Sequence, residues 1–347
     1  MADADDVDGV VEVRPTAGAV TEEDAAAERS LRPRSLAEFI GQARVKQVLS
    51  ITLTAARERG EAPDHMLFSG PPGLGKTTLA QIVAHEQGVR LHTTSGPALE
   101  RSADLVGLLT RLGPGDVLFI DEVHRLHAAV AEYLYAAMED FAVDIVLDQG
   151  PRARTVRMSL QPFTLVAATT REGLLAAPFR ERFLLRERLD LYPDDELREI
   201  CGRAARLLGV ALAPDAAVRL ASAARGTPRV AQRFLRRVRD LAQVEGGGTV
   251  TKEIADRGLA MLGVDDRGLE ELDRRLLRAL VEARGQPVGL KTLAVRVGEP
   301  EDTLEDVYEP FLIRGGWLLR TSRGRVAGPR ALAEAGIPAN APSLFPG

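Results

Sequence analysis

The sequence predicts an α/β domain with a parallel sheet, followed by a small all-α domain and a C-terminal winged helix. Short apolar runs such as "HMLFSG", "DVLFIDE" and "PFTLVAATT" alternate with helical stretches, as in a parallel sheet that is buried on both faces. After Tyr192 the pattern is helical only. The last segment then reads as three helices and two short alternating runs around Ser322-Arg323-Gly324, which is the order of a winged helix.

These changes in pattern place the domain boundaries. We assign residues 31–192 to the large α/β domain, 193–263 to the small helical domain and 264–338 to the winged helix. Residues 1–30 contain nine acidic side chains and two arginines, so we expect a flexible acidic lead-in. We expect residues 339–347 to be a flexible tail.

The composition narrows the class of protein. With 347 residues, 45% apolar and 27% charged, the chain is long enough for several folded domains. Its net charge of −5 means that a nucleic-acid site must be a local basic patch. The acidic start is unlike a signal peptide, and no apolar run reaches the length of a membrane span, so we expect a cytoplasmic protein. The single cysteine, Cys201, is expected to pack inside a helix.

The stretch "GPPGLGKT", Gly70 to Thr77, fits the phosphate-binding pattern G-x-x-x-x-G-K-[ST] and stands between an apolar run and a helix. Glycines let the backbone wrap phosphates, and the following helix presents its positive N-terminal end to the same anion. Lys76 would contact the β- and γ-phosphates, and the Thr77 hydroxyl would ligate Mg²⁺. A dinucleotide fingerprint fits poorly, because Lys76 and Thr77 would have no purpose there.

Two carboxylates follow the second apolar run. Asp121 ends "VLFID" and should face the glycine loop and its metal ion, and Glu122 is suited to polarise a water for attack on the γ-phosphate. A further run, "AATTREG", ends with Thr169 and Thr170, where the water and the γ-phosphate would lie.

Arginines at three later positions suit transition-state charge. Arg180 and Arg182 lie in "APFRERF", and Arg229 opens a helix in "RGTPRVAQR". An arbitrary arginine is more often a solvated surface charge. Their place after strand and cap signals in a nucleotide-binding domain favours the catalytic interpretation.

Taken in order with "TTSGP" and "RGTPRVAQRFLRRVRD", these motifs make residues 31–336 resemble the AAA+ ATPases of the RuvB family, bacterial motors that drive Holliday-junction branch migration. The resemblance implies an ATP hydrolase that acts as a DNA translocase or helicase, with ATP and Mg²⁺ as cofactors. It implies a homohexamer that encircles duplex DNA without sequence preference. It also implies roles in homologous recombination, DNA repair and the SOS response to DNA damage, with RuvA and RuvC as partners.

The resemblance also implies roles for individual residues. The adenine would be bordered by Leu31, Arg32 and Tyr192. The phosphates and metal ion would be held by Gly73, Lys76, Thr77 and Thr78, with Asp121 at the metal and the segment Glu139, Asp140 and Phe141 near the nucleotide. Thr169 would be the sensor-one polar group. Arg182 would be the arginine finger that reaches a neighbouring subunit's nucleotide, and Arg229 the sensor-two arginine of its own subunit.

Two further stretches take a meaning from the resemblance. Residues 143–160 read as two alternating strands around Gly150-Pro151, a hairpin that the family uses to dock RuvA; ordinary edge packing is an equal alternative. Residues 314–330 contain five arginines and no acid. We expect Arg320, Arg323 and Arg325 to contact DNA phosphates with strong salt dependence, against the alternative of a solvated basic patch.

The sequence also departs from the family pattern. The run Glu299-Pro300-Glu301-Asp302 lacks a basic residue that would face DNA, and Leu184 replaces a glycine behind the finger. The alternatives to a branch-migration motor are another DNA-acting AAA+ ATPase of the clamp-loader kind and an ATP-gated winged-helix switch. His124 and His127 lack a third metal ligand nearby, which favours a hydrogen-bonding role for His124.

Overall fold

The computed structural model describes residues 30–146, 155–245 and 247–337. The chain divides into two units, residues 1–32 and 33–347. In the first unit, Ser30 and Leu31 are helical. The predicted lead-in up to residue 29, the turn around Gly150-Pro151 and the predicted tail lie outside the described residues.

The large domain is an α/β structure with a five-stranded parallel sheet. The seven described strands of this domain are β1 (Met66–Ser69), β2 (Leu91–Ser95), β3 (Val117–Asp121), β4 (Ala142–Val146), β5 (Thr155–Ser159), β6 (Thr164–Thr169) and β7 (Leu185–Arg188). Its helices are α1 (Ala43–Arg59), α2 (Lys76–Gln87), α3 (Ser102–Leu109), α4 (Ala128–Asp140) and α5 (Ala177–Glu181). The sheet order is β2-β3-β6-β1-β7, and β4 and β5 form a separate antiparallel pair.

The centre of the sheet is buried on both faces, as predicted. Every residue of β1 and β6 is buried. Leu67, Leu118 and Leu165 pack with Leu134 of α4 in one apolar cluster, and α2 covers the other face. The three predicted strands are confirmed, whereas β2 and β7 were not predicted. Both are edge strands, and β7 alternates buried and exposed residues, so neither shows a continuous apolar run.

The hairpin β4–β5 is present as predicted, in the part of it that is described. Val143 is buried, and Ile145 and Met158 pack against the core cluster of the large domain. Val156 is 47% exposed. The base of the hairpin therefore uses its apolar side for packing within its own domain, and a docking role for the hairpin stays a prediction.

The small helical domain, called the lid below, has four described helices where the sequence predicted three. They are α6 (Asp194–Leu207), α7 (Pro214–Ala223), α8 (Pro228–Glu245) and α9 (Lys252–Met261), with a short parallel pair of β8 (Ala211–Leu212) and β9 (Thr249–Val250). The unpredicted α9 contains Gly258, which weakens a helical pattern but fits here because a Cβ would lie 2.7 Å from Cγ2 of Val238. Cys201 is buried in α6, as expected.

The C-terminal domain is a winged helix. Its elements are α10 (Glu271–Glu282), α11 (Leu290–Val297), α12 (Glu301–Thr303), a π-helical turn (Leu304–Tyr308), α13 (Glu309–Arg314), β10 (Leu318–Thr321), β11 (Gly324–Ala327) and α14 (Pro329–Glu334). Strands β10 and β11 form an antiparallel hairpin, the wing, and an isolated antiparallel bridge pairs Val288 with Arg325. Gly324 has φ of 145°, and a Cβ there would lie 2.5 Å from the Val288 carbonyl oxygen.

No helix in the described ranges is both long enough and apolar enough to cross a membrane.

Candidate functional site

The glycine loop, residues 70–75, joins β1 to α2 at the carboxyl edge of the sheet. Gly70 and Gly73 have φ of 132° and 78°, which residues with a side chain rarely adopt. A Cβ on Gly70 would lie 2.4 Å from the carbonyl oxygen of Leu189, and one on Gly73 would lie 2.8 Å from Cγ2 of Thr227 in the lid. The loop therefore fits between the end of β7 and the lid only with glycine at both positions.

Lys76 begins α2, and its side chain folds under the glycine loop. Its Nζ donates to the carbonyl oxygens of Gly70 and Pro71 at 2.8 and 2.9 Å. Burial lowers the pKa of Lys76 to about 8, although the charges of Asp121 and Asp306 oppose that shift. Within the described residues, the N-terminus of α2 receives no hydrogen bond from a capping side chain. A buried ammonium beside an uncapped helix N-terminus fits a polyphosphate, which supplies negative charge to both.

The acid pair lies at the end of β3, beside this loop. Asp121 is the last residue of β3, and its charge acts on Lys76. Glu122 turns the chain in a left-handed conformation with φ of 48°, and its N–H donates to Asp121 Oδ1 at 2.8 Å. Its own carboxylate pairs with Arg125 at 3.2 Å near solvent. The two acids thus point to different surroundings, which suits separate roles for them. With Thr77, Asp121 offers hard oxygen donors of the type that Mg²⁺ prefers.

The end of β6 carries the two threonines. Thr169 is buried, shares a hydrogen bond of 2.9 Å with His124 Nδ1 and accepts one from the Arg171 N–H at 3.0 Å. His124 thus has the hydrogen-bonding role that the sequence favoured, and burial lowers its pKa. Thr170 faces outward and donates its hydroxyl to Asp306 at 3.2 Å. Thr169 is therefore held internally, whereas Thr170 is partly exposed and contacts the winged helix. The sensor-one role of Thr169 stays a prediction.

Arg182 lies at the opposite edge of the sheet. It follows α5 and precedes β7, and it lines an open cavity with His65 and Phe163, which precede β1 and β6. Its guanidinium pairs with Glu139 at 2.9 Å and lies 5.2 Å from the centre of the Tyr135 ring. Because the carboxyl ends of parallel strands share one edge, Arg182 is turned away from the glycine loop of its own subunit.

The segment Glu139, Asp140 and Phe141 lies at this same amino edge. Asp140 pairs with Arg157 at 2.6 Å, and the Phe141 ring lies 5.8 Å from that of Phe163. The sequence predicted that this segment lies near the nucleotide. The structure does not bring it to the glycine loop of the same chain. It groups the segment with Arg182 at the amino edge of the sheet.

The lid closes over the glycine loop from the other side. The hydroxyl of the buried Tyr192 donates to the carbonyl oxygen of Leu74 at 3.3 Å. The N–H of Arg229 donates to the Gly73 carbonyl oxygen at 3.4 Å. Tyr192 and Arg229 therefore both lie against the loop, as a nucleotide role for them requires. Leu31 and Arg32 belong to the first unit of the chain, and their role at the adenine stays a prediction.

The wing arginines are engaged with acids of their own domain. Arg325 is mostly buried and donates to Glu309 at 2.7 Å, while Arg320 donates to the same carboxylate at 2.6 Å. Glu309 is 1% exposed, so it is a fixed anchor for both. Arg323 lies in the turn between the two strands of the wing. Arg325 is thus placed to hold the wing together, whereas Arg323 and the half-exposed Arg320 are better placed to meet a phosphate.

Sequence reasoning missed the acids that meet the arginines of the site. Asp306 contacts Thr170 and Arg171 from 136 and 135 positions away in the chain, and no local pattern marks it. Glu309 is buried in a segment that reads as an ordinary charged helix. The described residues contain no group of three or more His, Cys, Asp and Glu side chains suited to a metal ion.

The sheet, the glycine loop, the acid pair and the covering lid define an AAA+ ATPase that carries a winged helix. Three family models match the chain: the Holliday junction DNA helicase RuvB P-loop domain at residues 31–189, the RuvB AAA lid domain at 192–265 and the RuvB C-terminal winged helix domain at 266–334. The chain therefore belongs to the RuvB family.

Individual relatives agree over nearly the whole chain. The Holliday junction branch migration complex subunit RuvB of Myxococcus xanthus is 57% identical over 309 residues, which cover 89% of this chain and 90% of the relative. That of Rubrobacter xylanophilus is 55% identical over 331 residues, covering 95% and 93%. Among solved structures, the Thermotoga maritima RuvB Holliday junction branch migration motor is 48% identical with a TM-score of 0.81, covering 89% of this chain and 99% of that one.

Proposed function

We propose that this protein is the ATP-driven motor of a RuvAB branch-migration complex, which hydrolyses ATP to move duplex DNA at Holliday junctions in recombination and repair. The observation that carries this proposal is the buried Lys76 beneath the glycine loop, under the charge of Asp121, in a loop that the lid contacts at Gly73. Burying an ammonium costs free energy, and the phosphates of a bound nucleotide would offset that cost.

The residues around this point have separate roles in the proposal. Gly73, Lys76, Thr77 and Thr78 hold the phosphates, and Asp121 with Thr77 holds Mg²⁺, which neutralises phosphate charge when bound. Glu122 polarises the attacking water, since its carboxylate is near solvent rather than turned toward Lys76. Arg229 acts from the lid of the same subunit.

We propose that Arg182 acts on the nucleotide of a neighbouring subunit in a homohexameric ring. Its place at the amino edge of the sheet supports this, because the glycine loop of the same subunit lies at the carboxyl edge. Glu139, Asp140 and Phe141 share that edge and would approach the same neighbouring nucleotide.

A complementation experiment tests the shared site. Arg182→Ala lacks the finger but keeps the water-activating acid, whereas Glu122→Gln lacks the acid but keeps the finger. Because each site needs both groups, each variant alone should hydrolyse almost no ATP. In a 1:1 mixture, a site is active when an Arg182→Ala subunit meets a Glu122→Gln neighbour, which gives about a quarter of the wild-type rate per site. The control mixes Glu122→Gln with Arg186→Ala, which removes an exposed arginine of β7 but keeps both the acid and the finger. About half of the sites in this control should be active, and Arg186→Ala alone should match the wild type.

The outcomes separate the proposals. Recovery in the first mixture supports a finger acting between subunits. If both variants are inactive and mixing them restores nothing, Arg182 acts on the nucleotide of its own subunit, and the proposal of a finger acting between subunits fails. If the wild type does not hydrolyse ATP with or without duplex DNA, the motor proposal itself fails, in favour of a nucleotide-gated DNA-binding protein.

DNA contact is proposed for the wing, through Arg323 and Arg320. We also propose a junction-binding partner of the RuvA type at the β4–β5 hairpin, RuvC as a further partner at the junction, and a cytoplasmic location. The names of the relatives support membership of a branch-migration complex.

Binding of a fluorescent duplex by wild type and Arg323→Ala over a range of salt concentrations tests the proposed DNA contact of the wing. Equal affinity of the two proteins at every salt concentration would count against Arg323.

A further inference from the structure

The winged helix reaches the ATP site through the acids of its π-helical turn. Asp306 accepts hydrogen bonds from the Thr170 hydroxyl at 3.2 Å and from Nε of Arg171 at 3.0 and 3.1 Å. Thr170 and Arg171 directly follow Thr169 at the carboxyl end of β6. A carboxylate from the DNA-binding domain therefore holds the polar groups next to which the γ-phosphate is proposed to lie.

The charge of Asp306 also reaches the glycine loop. It raises the pKa of Lys76 against the effect of burial, as the charge of Asp121 does. Asp306 is thus within electrostatic range of the ammonium that holds phosphate. A third phosphate group adds negative charge beside a carboxylate that is only 22% exposed, and like charges in partly buried surroundings repel.

The same turn is tied to the wing. Glu305, next to Asp306, lies 3.7 Å from Arg171, 3.0 Å from Arg320 and 3.4 Å from Arg325. Because the buried Glu309 fixes both wing arginines, a shift of this turn moves the wing with it. One chain of ion pairs therefore runs from the end of β6 to the wing.

The attachment of the winged helix to the lid is of a different kind. Arg225 of the lid is buried in the winged helix, where it pairs with the fully buried Asp273 and donates to the Gly268 carbonyl oxygen at 2.9 Å. Its guanidinium lies 5.0 Å from the centre of the Phe311 ring. Separating this pair would leave a buried charge without its partner, whereas the contact of Asp306 is partly open to water. The winged helix should therefore stay with the lid when the Asp306 contact opens.

We propose that Asp306 is a displaceable positioning residue that couples the third phosphate of ATP to the position of the DNA-binding domain. It holds Thr170 and Arg171 through its carboxylate, and a bound triphosphate competes with it for these two groups. ADP lacks the competing phosphate and leaves the contact in place. Displacement releases the winged helix, together with the lid, from the large domain. This proposal rests on the proposed ATPase function and adds to it the residue that links hydrolysis to DNA movement.

Two nucleotides distinguish competition from general damage. Asp306→Asn removes the charge with little change of shape, and Glu301→Gln removes an exposed charge from the start of the same helical segment. We expect Asp306→Asn to raise the affinity for the non-hydrolysable triphosphate AMP-PNP about fivefold, since a partly exposed ion pair no longer competes. The affinity for ADP should change less than twofold, and Glu301→Gln should leave both affinities as in the wild type.

The position of the winged helix is measured separately. The chain has a single tryptophan, Trp317, buried in the winged helix. Energy transfer from Trp317 to a methylanthraniloyl nucleotide therefore reports the distance between that domain and the ATP site. In the wild type, transfer to the triphosphate should be weaker than transfer to the diphosphate. In Asp306→Asn both should resemble the wild-type triphosphate complex.

Each result bears on the proposal. Equal transfer for the two nucleotides in the wild type, or an unchanged ratio of AMP-PNP to ADP affinity in Asp306→Asn, overturns it while leaving the ATPase function intact. The same result in Glu301→Gln and Asp306→Asn also overturns it, because the effect is then one of net charge. Failure of the wild type to bind either nucleotide overturns the ATPase function and this coupling together. Asp306→Ala repeats the comparison if the asparagine keeps a hydrogen bond to Thr170.

Discussion

The buried ammonium of Lys76 makes ATP binding dependent on pH in a window that can be calculated. Its pKa is lowered by burial from 10.5 to about 8. This difference corresponds to about 3 kcal/mol of free energy needed to keep the charged form buried under the loop. Bound phosphate oxygens stabilise the charged form, so the complex should keep its proton at pH values where the free protein has lost it.

The sign and size of this pH dependence follow from the linkage between proton binding and nucleotide binding. Below pH 8 Lys76 is charged before and after binding, and affinity should not depend on its titration. Above pH 8 binding must take up a proton, so the affinity for Mg·ATP should fall about eightfold between pH 7.5 and pH 9. At pH 8.5 about 0.8 proton should be taken up for each nucleotide bound, against about 0.1 at pH 7. Without nucleotide, the unfolded chain binds the extra proton between pH 8 and 10.5, so this group makes the free energy of unfolding rise with pH there.

Calorimetry in two buffers of different ionisation enthalpy measures the proton uptake directly. The nucleotide is fully ionised above pH 8 and contributes little to it. Lys76→Arg is the matched control, since a guanidinium stays charged and any remaining binding should take up no proton. Proton uptake indistinguishable from zero at pH 8.5 in the wild type would refute the lowered pKa of the buried Lys76 ammonium.

Three further predictions concern the packing around the site and between the domains. Gly73→Ala should weaken nucleotide binding more than tenfold, because the added Cβ meets the lid. Gly88→Ala introduces similar left-handed strain in open space, so it should lower the free energy of unfolding by about 1 kcal/mol and leave nucleotide binding unchanged. Equal nucleotide affinity of the two variants contradicts this prediction. Cys201, whose pKa burial raises to about 12, should resist alkylation at pH 8 until the protein unfolds, as followed by mass spectrometry. Arg225→Ala should lower the free energy of unfolding by about 3 kcal/mol or more in urea titrations, because Asp273 loses its partner; a loss below 1 kcal/mol contradicts this.

The sequence was informative wherever the cause of a structure is local. Buried central strands need apolar residues on both faces, so β1, β3 and β6 could be predicted. The glycine loop could be predicted because its pattern of glycines, lysine and threonine is typical of a phosphate site. Edge strands need no such run, which is why β2 and β7 were missed. The helix α9 was missed because Gly258, a poor helix former, stands in its interior for the sake of close packing.

The site was less predictable where its parts come from distant segments. The threonines at the end of β6 were identified, but the assignment of roles between Thr169 and Thr170 depends on which hydroxyl is held internally by His124. The meeting of Asp306 with Arg171 depends on how the winged helix packs on the large domain. A sequence pattern records neighbours along the chain, whereas Thr169 and His124 are 45 positions apart and Arg171 and Asp306 are 135 positions apart.

The wing shows how a count of charges can overstate a binding surface. Most of the arginines between residues 314 and 330 are engaged within the protein: Arg314 with the Tyr192 carbonyl oxygen, Arg320 and Arg325 with Glu309, and Arg330 over the Trp317 ring. The exposed arginines of β10 and of the wing turn are Arg320 and Arg323, so one wing is expected to offer one or two phosphate contacts. Each contact contributes about 0.9 to the slope of log affinity against log salt. Binding by a single copy should be weak, with a slope of about −1 to −2. A slope several times steeper requires several wings on one duplex, so the salt dependence itself reports how many subunits engage the DNA.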